Sequence, residues 1–180
     1  MNQFELGLLD SFTSALKNPF FDFLMPKITM LANSGWIWIV VAVLMLLFRQ
    51  YRKAGITLSL ALISELIFVN AFLKPFFDRI RPFQLNPAAV LLVKPPADGS
   101  FPSGHTAVSF AAAYVIYHYN KKWGIAAYIL ATLIAFSRLY LYLHFPTDVL
   151  GGIIIGTLIG IYAIWLSEFV IRRWIPKRIL

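Results

Sequence analysis

The sequence predicts an all-α integral membrane protein, a helical bundle of about five to six transmembrane helices with an N-terminal amphipathic segment. Three observations carry this expectation. Of 180 residues, 59% are hydrophobic and only 13% charged, too little polar surface for a soluble domain of this size. Five apolar runs, at roughly 35–49, 55–73, 103–119, 123–142 and 148–171, approach the ~20 residues that cross a bilayer, and flanking Trp, Tyr, Lys and Arg extend the shorter ones. Nine of the sixteen basic residues sit in three clusters at the ends of such runs: Arg49, Arg52 and Lys53; Lys121 and Lys122; Arg172, Arg173, Lys177 and Arg178. That placement assigns the net charge of +8 to membrane anchoring and not to a nucleic-acid partner. With no cysteine, a disulfide framework and a thiolate metal site are both excluded.

The chain reads as one domain, 1–180, with an interfacial segment at 1–34 and the bundle at 35–171. Asp10, Lys17, Asp22 and Lys27 interrupt the first 34 residues at regular intervals, and Asn18-Pro19 divides them. The expectation is two amphipathic segments lying on the interface, with a sixth crossing as the alternative. The start carries Glu5 and Asp10 and no basic n-region, so no cleaved signal peptide is expected. Five crossings put the three basic clusters on one side, cytoplasmic by the positive-inside rule, together with the C-terminus. The outer side then receives segment 74–102, the turn at 143–147 and the N-terminal segment. In the last run Gly152, Gly156 and Gly160 recur every fourth residue in register with Asp148, a spacing that lets a helix of this or another chain approach closely. Ser103, Ala107 and Ala111 give the third run a similar small-residue edge.

Several polar residues have plain readings. His118 in "YHYNKK" anchors the cytoplasmic end of the third run. Glu65 lies inside the second run, where a charge costs about 2.5–3.5 kcal/mol; it is expected to be buried, either protonated or paired with a polar neighbour inside the bundle, with substrate entry or a relay behind that reading. Asp78 and Arg79 are expected to pair locally. Segment 83–98 is apolar for a loop, and Val90, Leu91 and Leu92 are expected to dip into the interface and help present a lipid headgroup.

Three clusters converge on the outer side. "KPFFDRIRP" (74–82) places Lys74 and Arg81 where the charge rule disfavours cations, and Pro82 stops the helix. "GSFPSGH" (99–105) starts a helix at Pro102 and Ser103; its free N–H groups favour an anion, and Gly104 opens the backbone to a phosphate. "SRLYLYLHFPTD" (137–148) holds Arg138, His144 and Asp148. Arg138 and His144 cannot share a helical face at six residues' spacing, so Pro146 must supply the break that brings them together. Asp148, just inside the next helix, is then close enough for its carboxylate to hold one imidazole nitrogen.

Lys74, Arg81 and Pro82, then Pro102 to His105, then Ser137, Arg138, His144 and Asp148 together resemble the three-part signature of the type 2 phosphatidic acid phosphatase superfamily. That superfamily includes lipid phosphate phosphatases, bacterial acid phosphatases and vanadium-dependent haloperoxidases. The resemblance implies that His144 attacks phosphorus to form a phosphohistidine, that Asp148 fixes the imidazole, and that His105 protonates the leaving oxygen and then activates water. Lys74, Arg81 and Arg138 offset the phosphoryl charge, with Ser103 and Gly104 completing the cradle. Three nearby cations should lower the His144 pKa, with Asp148 opposing them. No metal and no cofactor are expected, because the cations do a metal's electrostatic work. The expected substrate is a lipid phosphate or diphosphate, with undecaprenyl diphosphate first and phosphatidylglycerol phosphate or phosphatidate next. Vanadate-dependent halogenation is disfavoured by the membrane composition, and a transporter or non-enzymatic lipid-binding protein by the three motifs together.

Overall fold

The computed structural model describes residues 2–174; Lys177 and Arg178 lie outside them. Helix α1 (Asn2–Leu16) and helix α2 (Pro19–Leu31) are separated by Asn18, whose side chain caps α2 by accepting from the Phe21 amide at 3.0 Å. Pro19 at the first helical position completes the stop-and-restart that Asn18-Pro19 announces. After a short turn at Asn33–Gly35 come α3 (Trp36–Leu47) and α4 (Arg52–Glu65). The α4 axis continues as a π-helix over Leu66–Leu73 and a last turn at Lys74–Phe77. A loop then leads to α5 (Gly104–Tyr119), α6 (Lys121–Tyr140) and α7 (Pro146–Trp174).

The all-helical membrane class holds. Among the described residues, three stretches are long and apolar enough to cross a membrane: 49–85, 121–140 and 146–173. Pro19–Leu31 and 33–47 qualify only together, across a bend of 48°, which makes at most four. The expected crossings at 35–49 and 103–119 are the short ones. Helix α3 has 12 residues and α5 has 16, about 18 and 24 Å at 1.5 Å per residue, against a hydrocarbon core of about 30 Å. Helix α5 is the axis of the bundle, with Ala107, Ala111, Ala112, Ala113 and Val115 fully buried. Protein, not lipid, surrounds it. Segment 2–34 packs on the bundle: α2 buries Met25, Ile28 and Thr29, and the Phe21 ring meets Phe136 at a tilt and Tyr140 edge-on, both on α6.

The two small-residue edges meet in register within one chain. A Cβ on Gly152 would stand 2.8 Å from the Ser103 carbonyl oxygen, one on Gly156 2.2 Å from that of Ala107, and one on Gly160 3.1 Å from that of Ala111. The four-residue repeat of α7 therefore lies directly on that of α5. At the opposite end of the bundle, Thr57 of α4 donates to Ser167 of α7 at 2.8 Å and pairs with the Tyr119 hydroxyl at 2.9 Å, tying three helices together. His118 there is exposed, against Tyr119, as an anchor should be.

Gly156→Ala forces α5 and α7 apart and is expected to lower the melting temperature in detergent by about 5 °C or more. Gly7→Ala, where a Cβ meets nothing within 4 Å, should cause no loss. Equal melting temperatures for both variants would contradict the packing register.

Candidate active site

The loop Leu141–Phe145 turns the chain from α6 into α7 and is buried throughout. Tyr142 sits at its apex in the left-handed region (φ 60°). Its hydroxyl donates to Asp10 of α1 at 2.6 Å and accepts from Asn86 at 3.1 Å, which holds the turn despite that conformation. His144 is 1% exposed. Its Nδ1 lies 2.8 Å from the Ser100 carbonyl oxygen, an atom that only accepts, so the proton resides on Nδ1. Nε2 is left with its lone pair, which the Arg81 guanidinium meets at 3.2 Å. Burial and then the charges of Arg138, Arg81 and Lys74 drive the imidazole well below the usual histidine range; the Ser100 carbonyl opposes them weakly. The ring is a neutral base with one free nitrogen, facing cations.

Asp148 differs from expectation. Its Oδ2 is 3.6 Å from His144 Nδ1, beyond hydrogen-bond distance, because both of its oxygens are committed elsewhere. Oδ2 accepts from the Ser100 hydroxyl at 2.5 Å and the Phe145 amide at 2.8 Å, and Oδ1 from Arg79 at 2.5 Å. The carboxylate therefore orients Ser100 and the loop, and Ser100 orients the imidazole. Nothing in the sequence singled out Ser100.

The cations come from three elements. Arg81, 1% exposed, donates to the carbonyl oxygens of Asp98, Gly99 and Leu143 and to Asp98 Oδ1 at 2.7 Å. Lys74 pairs with the other oxygen of Asp98. Burial alone would raise the Asp98 carboxyl, but Lys74 and Arg81 outweigh it and hold it at about 2. Arg138, 3% exposed, donates to Thr29 of α2 at 2.7 Å, and its buried Nε has no partner among the described residues. A buried unpaired donor on a guanidinium is costly unless something binds there. Ser103 precedes α5 with no side-chain cap on the helix, so the first-turn N–H groups remain available. Gly104 faces Lys74, whose Nζ lies 3.4 Å from where a Cβ would stand. His105 is half-buried at the mouth, with Nε2 2.9 Å from Asn33 Oδ1.

Sequence reasoning missed the N-terminal contribution. Arg79 was expected to pair locally, yet it reaches Asp148, donates to Thr147 at 2.7 Å, pairs with Glu5 of α1 and lies 4.4 Å over the Phe145 ring. Glu5 in turn accepts from the Thr147 hydroxyl at 2.5 Å. Glu5 is buried, and no periodicity of the first segment distinguishes it from a solvated carboxylate. Among the described residues no group of three His, Cys, Asp or Glu side chains could hold a metal ion.

The comparisons place this geometry. Residues 53–172, which include every motif residue, match the profile of the PAP2 superfamily. The chain belongs to the PAP2 superfamily. It is 32% identical over 134 residues to an undecaprenyl-diphosphatase of Sulfolobus acidocaldarius, covering 74% of this chain and 65% of that protein. It is 31% identical to a lipid A 4'-phosphatase of Bacteroides thetaiotaomicron, covering 90% and 75%. The chain thus spans slightly under two thirds of the length of the first and three quarters of the second. The crystal structure of Aquifex aeolicus LpxE superposes with a TM-score of 0.78 at 30% identity, covering 89% of this chain and 94% of that one. A PAP2-type phosphatidylglycerolphosphate phosphatase from Bacillus subtilis gives 0.75 at 26% identity, covering 95% and 88%. Three of these four carry phosphatase names, and the lipids they name differ.

Within this PAP2 site Arg79 acts through Asp148. Arg79→Met should lower kcat about tenfold or more with KM nearly unchanged, Glu5→Gln should act in the same direction, and Arg79→Lys should restore part of the loss. A rise in KM at constant kcat would contradict a positioning role. Because His144 is neutral well below its ordinary pKa of 6.5, the acid limb of kcat/KM should lie below pH 6.5. A limb at or above that value would contradict the cation ring.

Proposed function

We propose that the protein hydrolyses a membrane lipid phosphate or diphosphate without a metal, through a phosphohistidine at His144. The observation that carries this reading is the state of His144: Nδ1 donates to the Ser100 carbonyl oxygen, and the unprotonated Nε2 accepts from Arg81. The phosphoryl oxygens replace the Asp98 carboxylate on Lys74 and Arg81 and take the open Nε of Arg138. The first-turn N–H groups of α5 from Gly104 onward, with the Ser103 hydroxyl beside them, complete the cradle. Nε2 attacks phosphorus, the bond to the leaving oxygen breaks, and His105, which takes up a proton when the anionic phosphate offsets the cations around it, passes that proton to the leaving oxygen. The Nδ1–H bond to Ser100 and the Asp148 charge behind it stabilise the cationic ring that forms. Water activated by His105 then attacks the phosphohistidine and frees phosphate and His144.

The basic clusters at the ends of the apolar runs support a cradle on the outer face of the cell membrane and a C-terminus inside. On sidedness alone, undecaprenyl diphosphate comes first among substrates, with phosphatidylglycerol phosphate and phosphatidate behind it. The relatives named for undecaprenyl diphosphate and for lipid A support the general class.

His144→Ala is expected to lower phosphate release from these lipids by about three orders of magnitude or more while the protein still folds in detergent. A chelator should leave wild-type turnover intact. His105→Ala should slow lipid turnover and accumulate phosphoenzyme with an activated aryl phosphate, whose leaving group needs no proton. Chelator-sensitive turnover, or normal release by His144→Ala, would overturn the mechanism.

A further inference from the structure

A cavity of about 660 Å³ opens from the cradle and runs along α3, α4 and α5. Lys74, Gly104 and His105 stand at its near end. Deeper in, the lining is mostly apolar, and Glu65 is the one acidic or basic side chain of the deep wall among the described residues. A carboxylate on a membrane helix at a cavity wall needs a reason, since its cost is not recovered by packing.

The π-helix supplies the local geometry. Where backbone hydrogen bonds run from i to i+5, the widened turn brings side chains five apart near one another, and such segments recur at functional sites. Glu65 and Asn70 are five apart at the start of that segment, and Asn70 Nδ2 donates to both Glu65 oxygens, at 3.1 and 3.2 Å. This fixes which way the Asn70 amide faces: its NH₂ is turned to Glu65, and its carbonyl oxygen to the cradle. Oδ1 lies 3.3 Å from the point where a Cβ on Gly104 would stand, and Lys74 Nζ lies 3.4 Å from the same point. The missing side chain of Gly104 therefore leaves a slot with a cation on one side and a pure acceptor on the other. A phosphoryl oxygen suits Lys74. What faces Asn70 must donate a hydrogen bond.

We propose that Asn70, oriented by Glu65, forms a headgroup-reading subsite that selects lipid phosphomonoesters bearing a free hydroxyl on the carbon next to the ester carbon. The inference rests on the lipid-phosphatase reading and narrows its substrate. In a polyprenyl diphosphate the group beside the scissile phosphate is a second phosphate, whose oxygens only accept and whose charge faces Glu65. A glycerol headgroup offers the hydroxyl that the slot lacks. The order set by sidedness is thereby reversed: the hydroxylated monoester comes before the diphosphate.

The test compares two lipids that differ by one oxygen, using the purified full chain in detergent micelles. One is phosphatidylglycerol phosphate; the other is its analogue lacking the 2-hydroxyl of the terminal glycerol. Wild-type kcat/KM should fall about tenfold when the hydroxyl is removed, the factor expected for one well-placed hydrogen bond. That ratio should collapse towards one in Asn70→Leu and Glu65→Leu. It should survive in Glu65→Gln, whose amide oxygen still accepts from Asn70. Undecaprenyl diphosphate should be turned over less efficiently than the hydroxylated monoester. Equal kcat/KM for the two matched lipids in the wild type overturns the subsite and leaves the phosphatase reading standing, as does a ratio that persists in Asn70→Leu. No turnover of any of these lipids overturns the phosphatase reading, and the subsite with it.

Discussion

Four basic side chains, Lys74, Arg79, Arg81 and Arg138, are gathered at one end of an apolar bundle, all of them largely buried. Their mutual repulsion and desolvation are the constraint that the rest of the site answers. Carboxylates are interleaved between them: Asp98 bridges Lys74 and Arg81, and Arg79 lies between Asp148 and Glu5. Arg138 stands apart, with a threonine hydroxyl on one nitrogen and no partner on Nε among the described residues. The electrostatics are therefore complete on two sides and open on the third. An anion entering at Arg138 and displacing the half-exposed Asp98 would close the set.

This arrangement also accounts for the chemistry of His144. Cations facing a histidine keep its ring neutral, but neutrality alone does not choose a nitrogen. The Ser100 carbonyl does, by taking the Nδ1 proton, and Ser100 is itself held by Asp148 through its hydroxyl and by the Arg79 carbonyl oxygen through its amide. Arg79 thus supports the His144 ring twice, once through its side chain on Asp148 and once through its backbone. Helix α1 reaches the same loop from outside through Asp10 on Tyr142 and Glu5 on Thr147. The N-terminal segment is part of the frame that positions the ring.

Much of this was legible in the sequence because motif chemistry survives without coordinates. Lys74, Arg81, Ser103, Gly104, His105, Arg138, His144 and Asp148 do meet at one end of the bundle, and the Gly152–Gly156–Gly160 series does lie on the Ser103–Ala107–Ala111 edge. What escaped has physical causes. The role of Ser100 is played by a carbonyl oxygen, which every residue has. Glu5 reads as one more charge on an amphipathic helix until the fold buries it. Arg79 lies in the variable stretch of its motif, and its partner is sixty-nine residues away. Apolar runs show hydropathy but not that α5 is wrapped by protein, so a length short of the bilayer suffices for it.

The central claim is that the Ser100 carbonyl and the cation ring leave Nε2 of His144 as the attacking atom. It is tested most directly by quenching turnover, isolating the phosphorylated peptide and determining by phosphorus NMR which imidazole nitrogen carries the phosphate. The account requires phosphate on Nε2 of His144. Phosphate on Nδ1, or on any other residue, would contradict it.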